Sequence, residues 1–129
     1  MKRIVMILFW AMLLVFSAPA YVHHSGAMYD QTRTVEIAGA ITEFKWSNPH
    51  ATFRVDVADE SGKVSNWAIV MGSPNNLVRR GWKRTTLKSG DRVTVTIFPL
   101  RDGGPGGYYV SIVLADGARL DGDPPEGGN

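Results

Sequence analysis

Trp46-Ser47-Asn48-Pro49-His50 is where one long β-pattern ends and a second begins. Proline has no N–H for a sheet ladder and restricts the residue before it, so Asn48-Pro49 stops the first pattern. Upstream, residues 34–46 put Val35, Ile37 and Ile41 on one parity, and Phe44 and Trp46 on the other. A parity switch inside one strand requires a bulge, and Gly39 is the expected place for the strand to bend. Downstream, Ala51, Phe53, Val55 and Val57 alternate with Thr52, Arg54 and Asp56. His50 shares the parity of Thr52 and Arg54, which places it on the outer face and not in the core.

The remaining elements follow from the same rules. Residues 59–63 read as a hairpin loop with Gly62 at a positive φ. Residues 64–71 are apolar on both parities (Trp67 and Ile69, Ala68 and Val70), as expected of a central strand. Ser73-Pro74 reads as an N-cap followed by an N1 proline, and Gly81 closes a helix of about two turns. Leu77 and Val78 are its expected apolar anchors, with Trp82 and Leu87 continuing a plug beneath the strands. A fourth strand turns Val93, Val95 and Ile97 inward. The glycine-rich stretch 101–107 forms a hairpin, because no helix or Lys-Ser/Thr pair follows to complete a phosphate loop. The fifth strand, 108–114, is expected to put Val110, Ile112 and Leu114 on one face, and Asp116-Gly117 turns into a short tail strand. Three strands, a short helix and two strands describe an all-β chain with one helix between strands 3 and 4. This is the order of a small OB-fold-like, five-stranded Greek-key barrel.

The barrel is assigned to residues 34–120 of a 129-residue chain. Ahead of it, Met1-Lys2-Arg3, the apolar run from Ile4 to Phe16 and Ala18-Pro19-Ala20 read as a signal peptide over 1–20. That run is shorter than the ~20 residues a spanning helix needs, so no membrane span is expected after cleavage. Residues 21–33 are polar without a period and are expected to be an extended arm. Residues 121–129 lack apolar side chains and are expected to be disordered. There is no cysteine, hence no disulfide, thiolate chemistry or lipid-modified cysteine. Without the leader, 12 basic residues face 12 acidic ones. That balance lacks a broad positive field, so the expected partners are a metal ion or an envelope component, with no nucleic acid. The expected location is periplasmic or secreted.

The pieces His23-His24-Ser25, Trp46-x-Asn48-Pro49-His50, Asn66-Trp67, Gly72-Ser73-Pro74-Asn75, Arg80-Gly81-Trp82, Leu87-Lys88-x-Gly90-Asp91 and Asp116-Gly117 resemble an exported bacterial family. That family is the domain of unknown function 6152. The resemblance implies secretion and a β-rich domain, and no activity.

The chemistry must therefore come from the residues. Cleavage after Ala20 would leave Tyr21-Val22-His23 at the front. The terminal amine, the two amides of Val22 and His23, and the His23 imidazole then form the four-nitrogen square that Cu(II) and Ni(II) favour. A second arrangement gathers His23, His24 and His50 as imidazole ligands, if the arm folds back over the strand 1–2 turn. Met28 and Met71 could add thioethers, and Asp30 could orient a histidine. Against both stands the simpler reading of a solvated His-His arm and a histidine that merely completes a turn.

Two further readings need no metal. Trp46, Trp67, Trp82, Tyr108 and Tyr109 could make an aromatic face like those on which OB-folds stack oligomers, although Trp67 and Trp82 suit the core better. Arg79, Arg80, Lys83, Arg84 and Lys88 put five positive charges into ten residues, enough to hold an anionic ligand or partner protein, or to form a solvated face. Ser25 beside His24 has no triad spacing and no carboxylate pair flanks a cleft, so the chain reads as a non-enzyme. The sequence thus points to an exported binding protein. Copper would be held by His23, His24 and His50, near Trp46 and Asn48. The ligand-binding residues are then Trp46, Asn48, Arg80 and Arg84, and the alternatives are a metal-free module that holds a partner protein or anionic ligand through its aromatics and the Arg79–Lys88 cluster, or a structural envelope protein.

Overall fold

A computed structural model describes residues 25–125. The elements are β1 (Val35–Lys45), β2 (Thr52–Ala58), β3 (Val64–Val70), α1 (Pro74–Arg79), β4 (Arg92–Pro99), β5 (Gly106–Val113) and β6 (Arg119–Asp121). The sheet runs β3-β2-β1-β4-β5-β6, and a parallel pairing of β3 with β5 joins its two sides. The fold is an all-β, OB-like closed barrel of five strands with one short helix between β3 and β4.

β1 serves both halves of the barrel. Val35 to Ala40 pair with β4, and Ala40 to Lys45 pair with β2. The register slips between Ile41 and Glu43, so Thr42 is the extra residue of the bulge. This corrects the expected position at Gly39. Gly39 has a different task, since a Cβ there would land on the Asp56 carbonyl, so the strand crossing itself demands a glycine.

The alternating residues of β2 and β4 fill the interior. Phe53, Val55, Val93, Val95, Ile97 and Ile69 are buried, with Leu77, Trp82 and Leu87 closing one end as the plug. In α1 the Ser73 hydroxyl accepts from the Asn76 N–H at 3.4 Å. At the other end Trp82 N–H reaches the Leu77 carbonyl and Gly81 N–H the Val78 carbonyl. These two bonds make a Schellman ending, with Gly81 at a φ of +92°. Val78 is not an anchor, however. It is 59 % exposed while Leu77 is fully buried, because a six-residue helix can turn only one narrow stripe inward.

Three further expectations are corrected. In β5 a register shift lies between Thr96 and Ile97 of the partner strand, opposite Ser111 and Tyr109, so Val110 is skipped. Tyr109 and Ile112 therefore enter the core, and Val110 stays half-buried. The described part of the arm is not extended. Ser25–Met28 form a 3-10 turn, and Tyr29, 3 % exposed, bridges to Leu100. The chain beyond β6 is also ordered as far as Pro125, which is buried. Gly122 N–H donates to the Val110 carbonyl at 2.8 Å. Main-chain bonding and proline packing hold this segment, neither of which depends on apolar pattern.

Candidate functional site

The turn between β1 and β2 and the segment between β3 and α1 lie side by side at one end of the barrel. Ala51 and Met71 carry the β2–β3 ladder onward: Ala51 N–H donates to the Gly72 carbonyl at 3.1 Å, and Met71 N–H to the Ala51 carbonyl at 2.9 Å. This register sets His50 against residues 71–72. Its Nδ1 lies 2.8 Å from the Met71 carbonyl oxygen.

A cleft of about 240 Å³ opens there. Asn48, Pro49 and His50 form one wall, Gly72, Ser73 and Asn76 the second, and Tyr108, Asp123 and Pro124 the third. A neighbouring hollow, lined by Asn76, Arg79, Arg80 and Asp123, shares two of these residues. Asp123 Oδ1 pairs with Arg80 Nη2 between the two.

The tautomer of His50 follows from its partner. A carbonyl oxygen only accepts, so Nδ1 carries the proton and the neutral ring keeps its lone pair on Nε2. Metal-binding histidines typically show this arrangement, in which the second ring nitrogen is tied to a backbone carbonyl or carboxylate. The described part of the arm reaches the same region. The Tyr29 ring meets that of Tyr108 edge-on, at 5.4 Å between centroids. Asp30 N–H and Arg101 Nε, bonded to the Pro99 and Ala27 carbonyls, fasten the arm on either side. Burial pushes the Tyr29 hydroxyl above its ordinary pKa.

Of the sequence-derived candidates, Asn48 and His50 share the cleft, and Arg80 stands next to it through Asp123. His23 and His24 lie outside the described residues. Trp46 and Arg84 line neither hollow. Trp46 packs edge-on to Phe44, and Phe44 in turn lies beside Trp82, at the border of the core. Met71 is buried, so its carbonyl and not its sulfur meets His50, while Met28 is 52 % exposed. Asp30 is engaged locally: it accepts from the Thr32 hydroxyl and N–H and from Arg33, and these bonds, the Thr32 hydroxyl foremost, lower its pKa.

The five candidate rings do not share one exposed face. Trp82, Tyr108 and Tyr109 are buried, and Trp67 and Trp46 pack against the core. The outer surface of β2 and β3 carries instead a polar lattice in which Asn66 bonds Arg54, Asp56 and Thr42. Sequence reasoning missed Asp123 and Tyr108 as cleft walls. Asp123 sits in a polar, proline-containing tail whose docking leaves no periodic signal.

The model of a family of unknown function, DUF6152, matches residues 11–109. No curated protein matches the sequence. Two solved structures are similar in fold. A dimeric structure of the N-terminal domain of PriB protein from Thermoanaerobacter tencongensis is 19% identical, with a TM-score of 0.48, over 66% of this chain and 98% of its own. The mitochondrial single-stranded DNA binding protein Rim1 of S. cerevisiae is 17% identical, with a TM-score of 0.47, over 70% of this chain and 97% of its own. With a protein named for binding single-stranded DNA among these fold neighbours, the expectation that nucleic acid is excluded as a partner is withdrawn. A balanced total charge was the wrong measure, because charge acts locally and five basic residues crowd positions 79–88.

Proposed function

The chain belongs to the family of unknown function DUF6152, and for it we propose an exported, non-enzymatic protein that binds Cu(II) or Ni(II) at the His50 cleft. His23 and His24 of the leading arm are the further ligands. The observation that carries this reading is the bond from His50 Nδ1 to the Met71 carbonyl, which leaves Nε2 as the ring's one available donor.

The anchorage of the arm supports it. Tyr29 touches Tyr108, and Tyr108 lines the His50 cleft. His24 stands five residues before Tyr29, a separation that a chain can stretch to roughly 17 Å at most. The ligands of one site are then available from two segments joined through a common tyrosine. Imidazole nitrogen is a preferred donor for copper and nickel.

Titration of the exported, processed protein with Cu(II) tests the proposal, together with mass spectrometry of its first residue. The expected result is stoichiometric binding, with a visible absorption band and shifted imidazole NMR signals for all three histidines. Unchanged signals would sink it. Binding that survives His50→Ala but disappears when one residue is added before Tyr21 would leave only the terminal four-nitrogen chelate.

A further inference from the structure

Leu77, Trp82 and Leu87 recur at equal spacing, and all three are buried at one end of the barrel. The chain between them turns away from the core and exposes its side chains. Val78, Arg79 and Arg80 stand before Trp82, Lys83 and Arg84 after it, and Lys88 beyond Leu87. The plug therefore has an apolar inner surface and a cationic outer one. Main-chain bonds fix its corners. Gly81 N–H donates to the Val78 carbonyl at 3.1 Å, Thr86 N–H to the Lys83 carbonyl at 3.0 Å, and Asp91 N–H to the Lys88 carbonyl at 3.1 Å. The cations stand on preformed turns, so holding them against a partner costs little further backbone entropy.

Residues 61–90 contain no aspartate or glutamate, so any balancing charge comes from elsewhere in the fold. Asp123, on the strap that follows β6, pairs with Arg80. Asp91 Oδ2 accepts the Lys88 backbone N–H at 2.8 Å. Arg79, Lys83, Arg84 and Lys88 have no ion pair among the described residues. Unopposed cations gathered at one end attract an extended anionic surface. Val78, more than half exposed, stands among them. An aliphatic side chain offers a nucleic-acid base no ring to stack on, but it gains by entering the boundary between lipid headgroups and acyl chains. The mixture of aliphatic and basic side chains thus favours a lipid surface.

We propose that the outer face of the plug docks peripherally on an anionic phospholipid surface. Arg79, Lys83, Arg84 and Lys88 meet the headgroup phosphates, and Val78 enters the boundary. The docking is independent of any metal at the His50 cleft. Each basic residue close to such a surface strengthens binding about fivefold, so the four together act by roughly several hundredfold. The contact remains reversible and weakens as salt rises.

Cosedimentation of the metal-free processed protein with vesicles tests this. The vesicles are phosphatidylcholine alone or an equal mixture of phosphatidylcholine and phosphatidylglycerol. Lys83→Glu, Val78→Ser and Lys63→Glu are compared with wild type, and thermal unfolding checks that each is folded. Lys63 is the matched charge control. It is exposed and precedes β3, so the seven-residue strand separates it from the α1 end by roughly 20 Å, well beyond a Debye length. Wild type is expected to bind the mixed vesicles only, and to leave them at high salt. Lys83→Glu should weaken binding about tenfold or more, and Lys63→Glu less than about twofold. Val78→Ser should weaken it severalfold. A wild-type protein that ignores the mixed vesicles, or binds both kinds equally, overturns the proposal. Equal losses in the two lysine variants overturn the assignment to the plug, and undiminished binding by Val78→Ser overturns its insertion. Capture of oligothymidylate through Lys83, without vesicle binding, would give this face to nucleic acid instead.

Discussion

His50 Nδ1 donates to the carbonyl oxygen of Met71 across 2.8 Å, joining two residues 21 positions apart in the chain. The bond depends on the β2–β3 ladder running on through Ala51 and Met71. Replacing His50 by Ala should cost about 1 kcal/mol, because it takes this donor away from the carbonyl of the buried Met71. His50→Gln can donate through its amide and should recover part of that stability without recovering copper binding. Denaturant unfolding and copper titration of both variants check the two halves of this prediction.

The helix predicts a contrast between neighbours. Leu77 is fully buried and Val78 is 59 % exposed. Leu77→Ala should cost about 2–5 kcal/mol, whereas Val78→Ala should stay within about 0.5 kcal/mol. Comparable losses in equilibrium unfolding would contradict the one-stripe packing of α1.

Ser73 caps that helix through its hydroxyl. Ser73→Ala should destabilise by about 1 kcal/mol, and Ser73→Asp, another capping residue, should restore most of it. Because Ser73 also lines the cleft, the Asp variant tests whether the cap can be kept while the cleft gains a charge. Thermal unfolding gives the answer.

Alkaline stability should depend on Tyr109. Burial, the largest cause, raises its pKa well above the ordinary 10, and its hydroxyl donates to the Leu120 carbonyl at 2.6 Å. The folded protein keeps this proton where the unfolded chain releases it. The contribution is therefore intact below pH 10 and is lost as pH rises from there toward the folded-state pKa. The slope from this group cannot exceed about 1.4 kcal/mol per pH unit. Tyr109→Phe should be less stable at pH 8 but show a flatter decline above pH 10, measured by denaturant unfolding at each pH.

Gly39→Ala should be among the most damaging single changes, since its methyl group would meet the Asp56 carbonyl. The atom in the way belongs to the β2 backbone, which cannot swing aside as a flexible side chain could. Soluble expression and a cooperative unfolding transition near wild-type temperature would show that β1 and β2 can separate there.

Much of the barrel was legible because it rests on period-two alternation. Phe53 and Val55, or Val93, Val95 and Ile97, must share a face in any extended strand. Asn48-Pro49 and Gly81 mark their boundaries through local sterics alone. The bulge was legible as a parity conflict between Ile41 and Phe44. Its position at Thr42 was not, because the slip is fixed by how β1 meets β2 and β4 together. Val110 escaped for the same reason, being skipped by a register shift that involves β4.

The sequence by itself determined the strand order, the helix cap and plug, and the outward parity of His50, since each follows from contacts between residues close in the chain. Only the tertiary structure decided what His50 faces. Met71, Tyr108 and Asp123 come to it from three separate segments. Their meeting depends on barrel closure and on a strap held by main-chain bonds, for which a side-chain pattern has no code.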